Sequence, residues 1–297
     1  KRSIYFGPDD LKNLNRSFPG KADGTVTERI AFTLTEEIMP LSDYLIDIHF
    51  GDGNESLRPS YSAYYAEVGG TEVVDQSRRL AVAFGLETIV QFAGSYSSLD
   101  DAIYTSAQSV TRGIPSIDVE SGELGVIDDV FIDPITDGAL SVLRELGMIE
   151  GEPIVAANPL VISDRARVYS EHEGIWHKDA LMKTGDFVTK GTELGVITDY
   201  FGKELQTVVA PASGVLLILF ATPPVNVDDN IAVIGAVVTI NQLLQGASSP
   251  GKSSTNPSFI VFLMTSPTIP QWHWSWLPRM LFVSAKLRAA HTHGASI

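Results

Sequence analysis

The chain predicts an α/β sheet with helices on both faces, followed by a small C-terminal all-β unit, a compact sandwich or barrel. Three observations carry this. Short apolar runs alternate with longer stretches of helical periodicity up to about residue 147; that periodicity stops at Leu146-Gly147-Met148-Ile149-Glu150-Gly151; paired glycines then bracket short β-branched runs to about residue 240.

Thr25-Val26-Thr27-Glu28 reads as a capping box, and Val26, Ile30, Leu34 and Ile38 recur every four residues behind it, predicting an amphipathic helix packed on a sheet. The apolar run Tyr44 to Phe50 is too short for a helix and fits a central strand. The pattern repeats as a helix near 72–84, a strand at 88–92, a helix near 98–111, a strand at 116–120 and a helix near 134–147. Beyond it, Gly185 to Gly191, Leu194 to Ile197 and Ala210 to Val215 predict strands and turns. The division expected is 1–160, an α/β domain; 161–240, a β domain that resembles the lipoyl/biotinyl barrel-sandwich fold; and 241–297, a tail of different character. That tail holds none of the chain's 36 acidic residues, where at the density of the rest about eight would fall, and three of its four tryptophans. A partner-binding, disordered or foreign segment is the expectation there.

The 297 residues, 44% apolar and 19% charged, are ordinary for a globular protein. A net charge of -15 repels phosphate backbones and anionic lipid, so neither nucleic acid nor membrane is an expected partner. The absence of cysteine excludes disulfides, thiolate metal sites and a thiol nucleophile, and fits a cytoplasmic location; homo-oligomers remain compatible.

Chemistry concentrates in two places. Asn15-Arg16 offers a carboxylate a fork of donors, and His49 ends an apolar strand, where an open sheet presents metal ligands. The string Asn13-Leu14-Asn15-Arg16-Ser17-Phe18-Pro19-Gly20, then Asp47-Ile48-His49, Val119-Glu120-Ser121-Gly122 and the run from Gly185 to Gly235, resembles the succinylglutamate desuccinylase/aspartoacylase family, relatives of the zinc carboxypeptidases. The resemblance implies a zinc carboxypeptidase-like mixed sheet, one zinc ion per chain, and a deacylase cleaving a small anionic N-acyl amino acid or similar amide. It makes His49 a zinc ligand, with Asp47 or a carbonyl orienting its ring, and Glu120 the general base in preference to Glu67 of the look-alike Ala66-Glu67-Val68-Gly69-Gly70. Asn15 and Arg16 become the carboxylate anchors, Arg2 the group polarising the scissile carbonyl, and Arg58 a second anion contact. Enzymes of this kind bring two further zinc ligands as His-x-x-Glu upstream of the Asn-Arg pair, where this chain has only Lys1 to Leu14. The expectation is therefore a chain lacking its first strands and unable to hold zinc as the family does. A noncatalytic binding module and a metallocarboxypeptidase are the alternative readings.

Overall fold

The structure, a computed structural model, describes residues 5–57 and 59–238, and the strands 259–264 and 283–284 as backbone alone. Its helices are α1 (Val26–Thr33), α2 (Gly70–Ala83), α3 (Thr105–Thr111) and α4 (Asp129–Glu145). The first strands are β1 (Tyr44–Phe50), β2 (Glu55–Leu57), β3 (Tyr61–Tyr65), β4 (Thr88–Phe92), β5 (Ser116–Ser121) and β6 (Leu160–Tyr169). They are followed by β7 (Gly174–Lys178), β8 (Phe187–Val188), β9 (Glu193–Thr198), β10 (Glu204–Val209), β11 (Gly214–Phe220), β12 (Pro224–Val225), β13 (Asn230–Val238), β14 (Phe259–Met264) and β15 (Val283–Ser284).

The main sheet runs β15-β14-β1-β5-β3-β4-β6-β13-β11-β2, with β8 also paired to β11; a smaller antiparallel sheet runs β10-β9-β7-β12. Strands β1 and β5 are parallel, β3 lies antiparallel to β5, and β4 and β6 follow β3 in parallel, so the sheet is mixed and continues across residue 160. Ile46, Ile48, Ile117 and Val119 bury one face of it under α2 and α4, while α3 sends Ala107 and Val110 onto the opposite face beside Ala63, Tyr65 and Val90. Trp176, Leu194, Ile197 and Leu216 fill a separate core in the all-β unit. The α/β sheet covered on both faces and the all-β unit are both present, as the sequence predicts.

Three elements depart from expectation. The buried stripe of α1 and the turns that prolong it is Thr27, Ala31, Thr35 and Met39, one residue out of step with the predicted one; Val26 and Ile30 are 41% and 47% exposed. Thr27 is buried because Asp10 satisfies it twice, at 2.8 Å from its amide and 2.8 Å from its hydroxyl, and Ala31 packs with Phe18, Met39 and Leu45. The helix expected over 98–111 is split into a turn at Leu99–Asp101 and the short α3, because the Gln108 side chain donates to the carbonyls of Leu99 and Ala102. Helix α4 starts five residues early, where Asp128 accepts the Val130 amide at 3.0 Å, and tolerates Pro134 inside.

Gly138 of α4 lies against the Phe84 ring, and a Cβ there would stand 2.2 Å from Phe84 Cε1. Alanine normally favours a helix interior over glycine by about 1 kcal/mol. Here Gly138→Ala is expected to destabilise by about 1–3 kcal/mol, since the overpacked ring must shift; a urea midpoint checks the sign.

Candidate active site

Strand alternation builds the site. On β1, Asp47 and His49 point to the α3 face while Ile46 and Ile48 point to the α2/α4 core. Parallel pairing sets Asp47 opposite Asp118 and His49 opposite Glu120; antiparallel pairing then sets Tyr61 beside Glu120 and Ala63 beside Asp118. Asp47, His49, Asp118 and Glu120 therefore share one patch, with Tyr61 beside it.

The donor atoms of Asp47, His49 and Asp118 all lie within 4.8 Å of one another. His49 Nε2 is 3.1 Å from Asp47 Oδ2, 3.6 Å from Asp118 Oδ1 and 3.4 Å from Asn15 Nδ2. Ser106 donates to Asp118 Oδ1 at 2.9 Å, while Asp118 Oδ2 is buried without a hydrogen-bond partner among the described residues. Burial alone would lower the pKa of His49, but the carboxylates of Asp47, Glu120 and Asp118 outweigh it and hold the imidazole well above its usual range. Burial raises the Asp118 carboxyl, against the pull of the neighbouring imidazole. Burial likewise pushes Glu120 up to about 7, with His49 opposing and Asp118, Glu55 and Asp47 assisting. A carboxylate of that pKa is poised to exchange a proton near neutrality.

Asn15 and Arg16 reach this patch on a short turn, Leu14–Arg16, whose neighbour Phe18 is buried against Ala31, Met39 and Leu45. Lys12 pins the same loop to Glu28 at 2.8 Å, and Glu28 also accepts the Thr25 amide at 2.8 Å; these contacts, Lys12 first, hold its carboxyl down at about 2. Asn15 Oδ1 takes the amide and hydroxyl of Thr105, at 2.8 and 3.0 Å, which leaves its amide nitrogen facing His49. Arg16 donates to the carbonyl of Asn15 at 2.6 Å, its guanidinium carbon lies 4.5 Å from the Tyr104 ring centroid, and it makes no ion pair among the described residues. It borders an open cleft of about 410 Å³ shared with Lys12, Asn13 and Glu28.

The structure thus brings His49, Glu120 and Asn15 together with Arg16 on their flank. Glu67 is exposed at the β3–α2 turn, and β3 runs away from Glu120 toward it. Arg2 and Arg58 lie outside the described residues, as do the tail tryptophans. Sequence reasoning missed Asp118, Tyr61, Tyr104 and Thr105. For Asp118 a signal existed: Asp118 and Glu120 alternate on β5 just as Asp47 and His49 do on β1. No helix among the described residues is long and apolar enough to cross a membrane.

Residues 2–146 match the catalytic domain of succinylglutamate desuccinylase/aspartoacylase. The N-alpha-acetyl-L-2,4-diaminobutyric acid deacetylase of Halomonas elongata is 31% identical over 240 residues, spanning 78% of this chain and 67% of that protein. The product-bound ectoine utilization protein EutE (DoeB) of Ruegeria pomeroyi shares the fold with a TM-score of 0.69 at 23% identity, over 78% of this chain and 69% of that one. A succinylglutamate desuccinylase of Silicibacter sp. TM1040 does so with a TM-score of 0.68 at 25% identity, over 78% and 70%. With the fold shared and nearly a third of the residues identical to the Halomonas elongata deacetylase, the chain belongs to the succinylglutamate desuccinylase/aspartoacylase family.

Proposed function

We propose that the chain is a zinc-dependent deacylase hydrolysing an N-acyl amino acid to a carboxylate and a free amine, with Asp47, His49 and Asp118 offering a set of cation donors that does not depend on an upstream His-x-x-Glu pair. The observation that carries this is the register of β1 against β5, which sets Glu120, tuned to about 7, beside the imidazole and buried carboxylates of Asp47, His49 and Asp118.

Those residues suit a divalent cation. One imidazole nitrogen and carboxylate oxygens are the donors zinc accepts, the unpartnered Asp118 Oδ2 gains a partner, and the field that holds His49 protonated is one that attracts cations. Zinc bound there supplies Lewis-acid chemistry at the scissile carbonyl. Asn15, its oxygen anchored by Thr105, presents its amide donors beside His49 to the substrate carboxylate. Glu120 takes one proton from the attacking water as the new C–O bond forms, and returns it to the amide nitrogen as the C–N bond breaks. Arg16, backed by the Tyr104 ring, grips the amino-acid carboxylate and sets the amide over Glu120.

The test is amine release from a panel of N-acetyl-L-amino acids and of peptides by zinc-loaded protein. Release from the N-acyl amino acids that a chelator abolishes is the expected result. Release from peptides alone indicates a carboxypeptidase, and no release from either contradicts the proposal. Arg16→Gln is expected to raise KM about tenfold or more, from the loss of about 1.5–3 kcal/mol of charged hydrogen bonding, with kcat changed far less. Steady-state kinetics on the best substrate measures the split.

A further inference from the structure

The connection from β5 to α4 turns large apolar side chains to water. Leu124, Val126, Ile127 and Val130 are all exposed, Ile127 by 56%. The backbone beneath them is fixed: the Leu124 amide donates to the Glu55 carbonyl at 2.9 Å and the Gly125 amide to the Gly51 carbonyl at 3.0 Å. Leu124 also sits at φ +52°, a left-handed conformation that a bulky side chain seldom adopts. A pinned and strained loop that points leucine, valine and isoleucine outward is a surface built for contact.

A second apolar group adjoins it. Ser56 of β2 donates to the Glu123 carboxylate at 2.8 Å, and its hydroxyl lies 3.1 Å from that of Thr184, so the β5–α4 connection and the loop between β7 and β8 lie side by side. That loop and the start of β8 present Leu181, 88% exposed, and Phe187, 64% exposed. It is pinned as well, since Gly185 donates to the Leu216 carbonyl at 2.7 Å and Leu216 to the Asp186 carbonyl at 2.9 Å. Apolar residues scattered singly over a surface need no explanation; two fixed loops that join their apolar tips do.

The charges around this surface are sorted. Its α4 side carries exposed Asp128, Asp129 and Asp133, and the sequence has no lysine or arginine between Arg112 and Arg144. Its β-domain side carries exposed Lys178, Lys183 and Lys190. The acids on that side serve their own turns, Asp179 accepting the Leu181 amide at 2.8 Å and Asp186 the Lys183 amide at 2.9 Å. An apolar centre with acid at one end and base at the other is complementary to itself under a two-fold rotation, which lays each acidic end on the other copy's basic end. At a net charge of -15, two copies approach favourably only where their charges are sorted in this way, and the aspartates oppose an anionic lipid surface.

We infer that this surface is an isologous interface with a second copy of the chain, with Leu124, Ile127, Leu181 and Phe187 at its centre and the α4 aspartates of each copy facing the lysines of the other. The inference goes beyond the deacylase reading and stands without it.

Sedimentation velocity of the full chain from about 1 to 100 µM tests it, and a dimer with a Kd of about 10 µM or tighter is the expected result. Ile127→Asp and Leu181→Asp should each weaken the dimer at least about tenfold, while the exposed positions leave the far-UV circular dichroism unchanged. Asp129→Lys and Lys183→Glu should each weaken it by a similar factor, and the two together should recover most of the loss, because the charges are then exchanged rather than opposed. A chain that is monomeric at every concentration overturns the inference. So does a dimer that Ile127→Asp and Leu181→Asp leave intact, and so does a double charge variant no tighter than either single one. Zero-length cross-linking of mixed isotope-labelled copies reads the contact itself: links from Lys183 to Asp128 or Asp129 of the other copy are expected, and links only to residues 239–297 of the same chain overturn the inference in favour of that segment as the occupant.

Discussion

Glu120→Gln is expected to lower turnover by about 10²–10⁴-fold while leaving metal content unchanged. The substitution keeps size and one hydrogen-bonding oxygen but removes the carboxylate that, on the proposed mechanism, accepts the proton from water. Glu120 is not among the three residues whose donor atoms converge within 4.8 Å, so the cation site keeps its ligands. Burial raises Glu120 to about 7 in the metal-free protein, and a raised value suits a group that, on the proposed mechanism, must also return the proton to the amine. Single-turnover kinetics with metal analysis on the same sample checks both halves. An unchanged rate would remove Glu120 from the mechanism, and a lost metal would make it a ligand.

Asp118→Asn carries the second large effect. Asp118 is 5% exposed, shares the His49 ring with Asp47, and keeps one oxygen without a partner, so it is either a ligand or the group that orients one. Removing its charge is expected to weaken zinc binding at least about 10–100-fold. The sign of the pH dependence gives an independent check. In metal-free protein the His49 pKa is raised over its unfolded value, so its contribution to stability is fully present below about pH 6.5 and is lost as pH rises through the folded value. Asp118→Asn weakens that field and should flatten this loss. Zinc reverses the trend, because the metal needs the deprotonated ring and binds more tightly as pH rises. Thermal unfolding with and without zinc across pH 5 to 9 measures all three.

Much of this arrangement is legible in the sequence, for reasons particular to each element. Strands β1 and β4 stand out because largely apolar runs of five to seven residues suit a sheet covered on both sides, and β5 because Ile117 and Val119 alternate with polar residues. Strand β3 does not, although all five of its residues are buried: Tyr61-Ser62-Ala63-Tyr64-Tyr65 lacks aliphatic contrast, and its serine is affordable inside only because it donates to the Ala81 carbonyl at 2.9 Å. The shifted stripe of α1 has the same origin, since Thr27 reads as polar until Asp10, 17 residues away, is seen to satisfy it. At the site, His49 and Glu120 are visible as single residues, whereas their adjacency is a matter of strand order. Asn15 meeting Thr105 across 90 residues is a tertiary fact that no local pattern encodes.

The central claim is that the α3 face of β1 and β5 is a divalent-cation centre. Isothermal titration of metal-free protein with zinc, alongside His49→Ala, tests it most directly. One equivalent bound by the wild type, and none of comparable affinity by the variant, is the predicted result. No saturable binding, or binding that His49→Ala leaves intact, would contradict it.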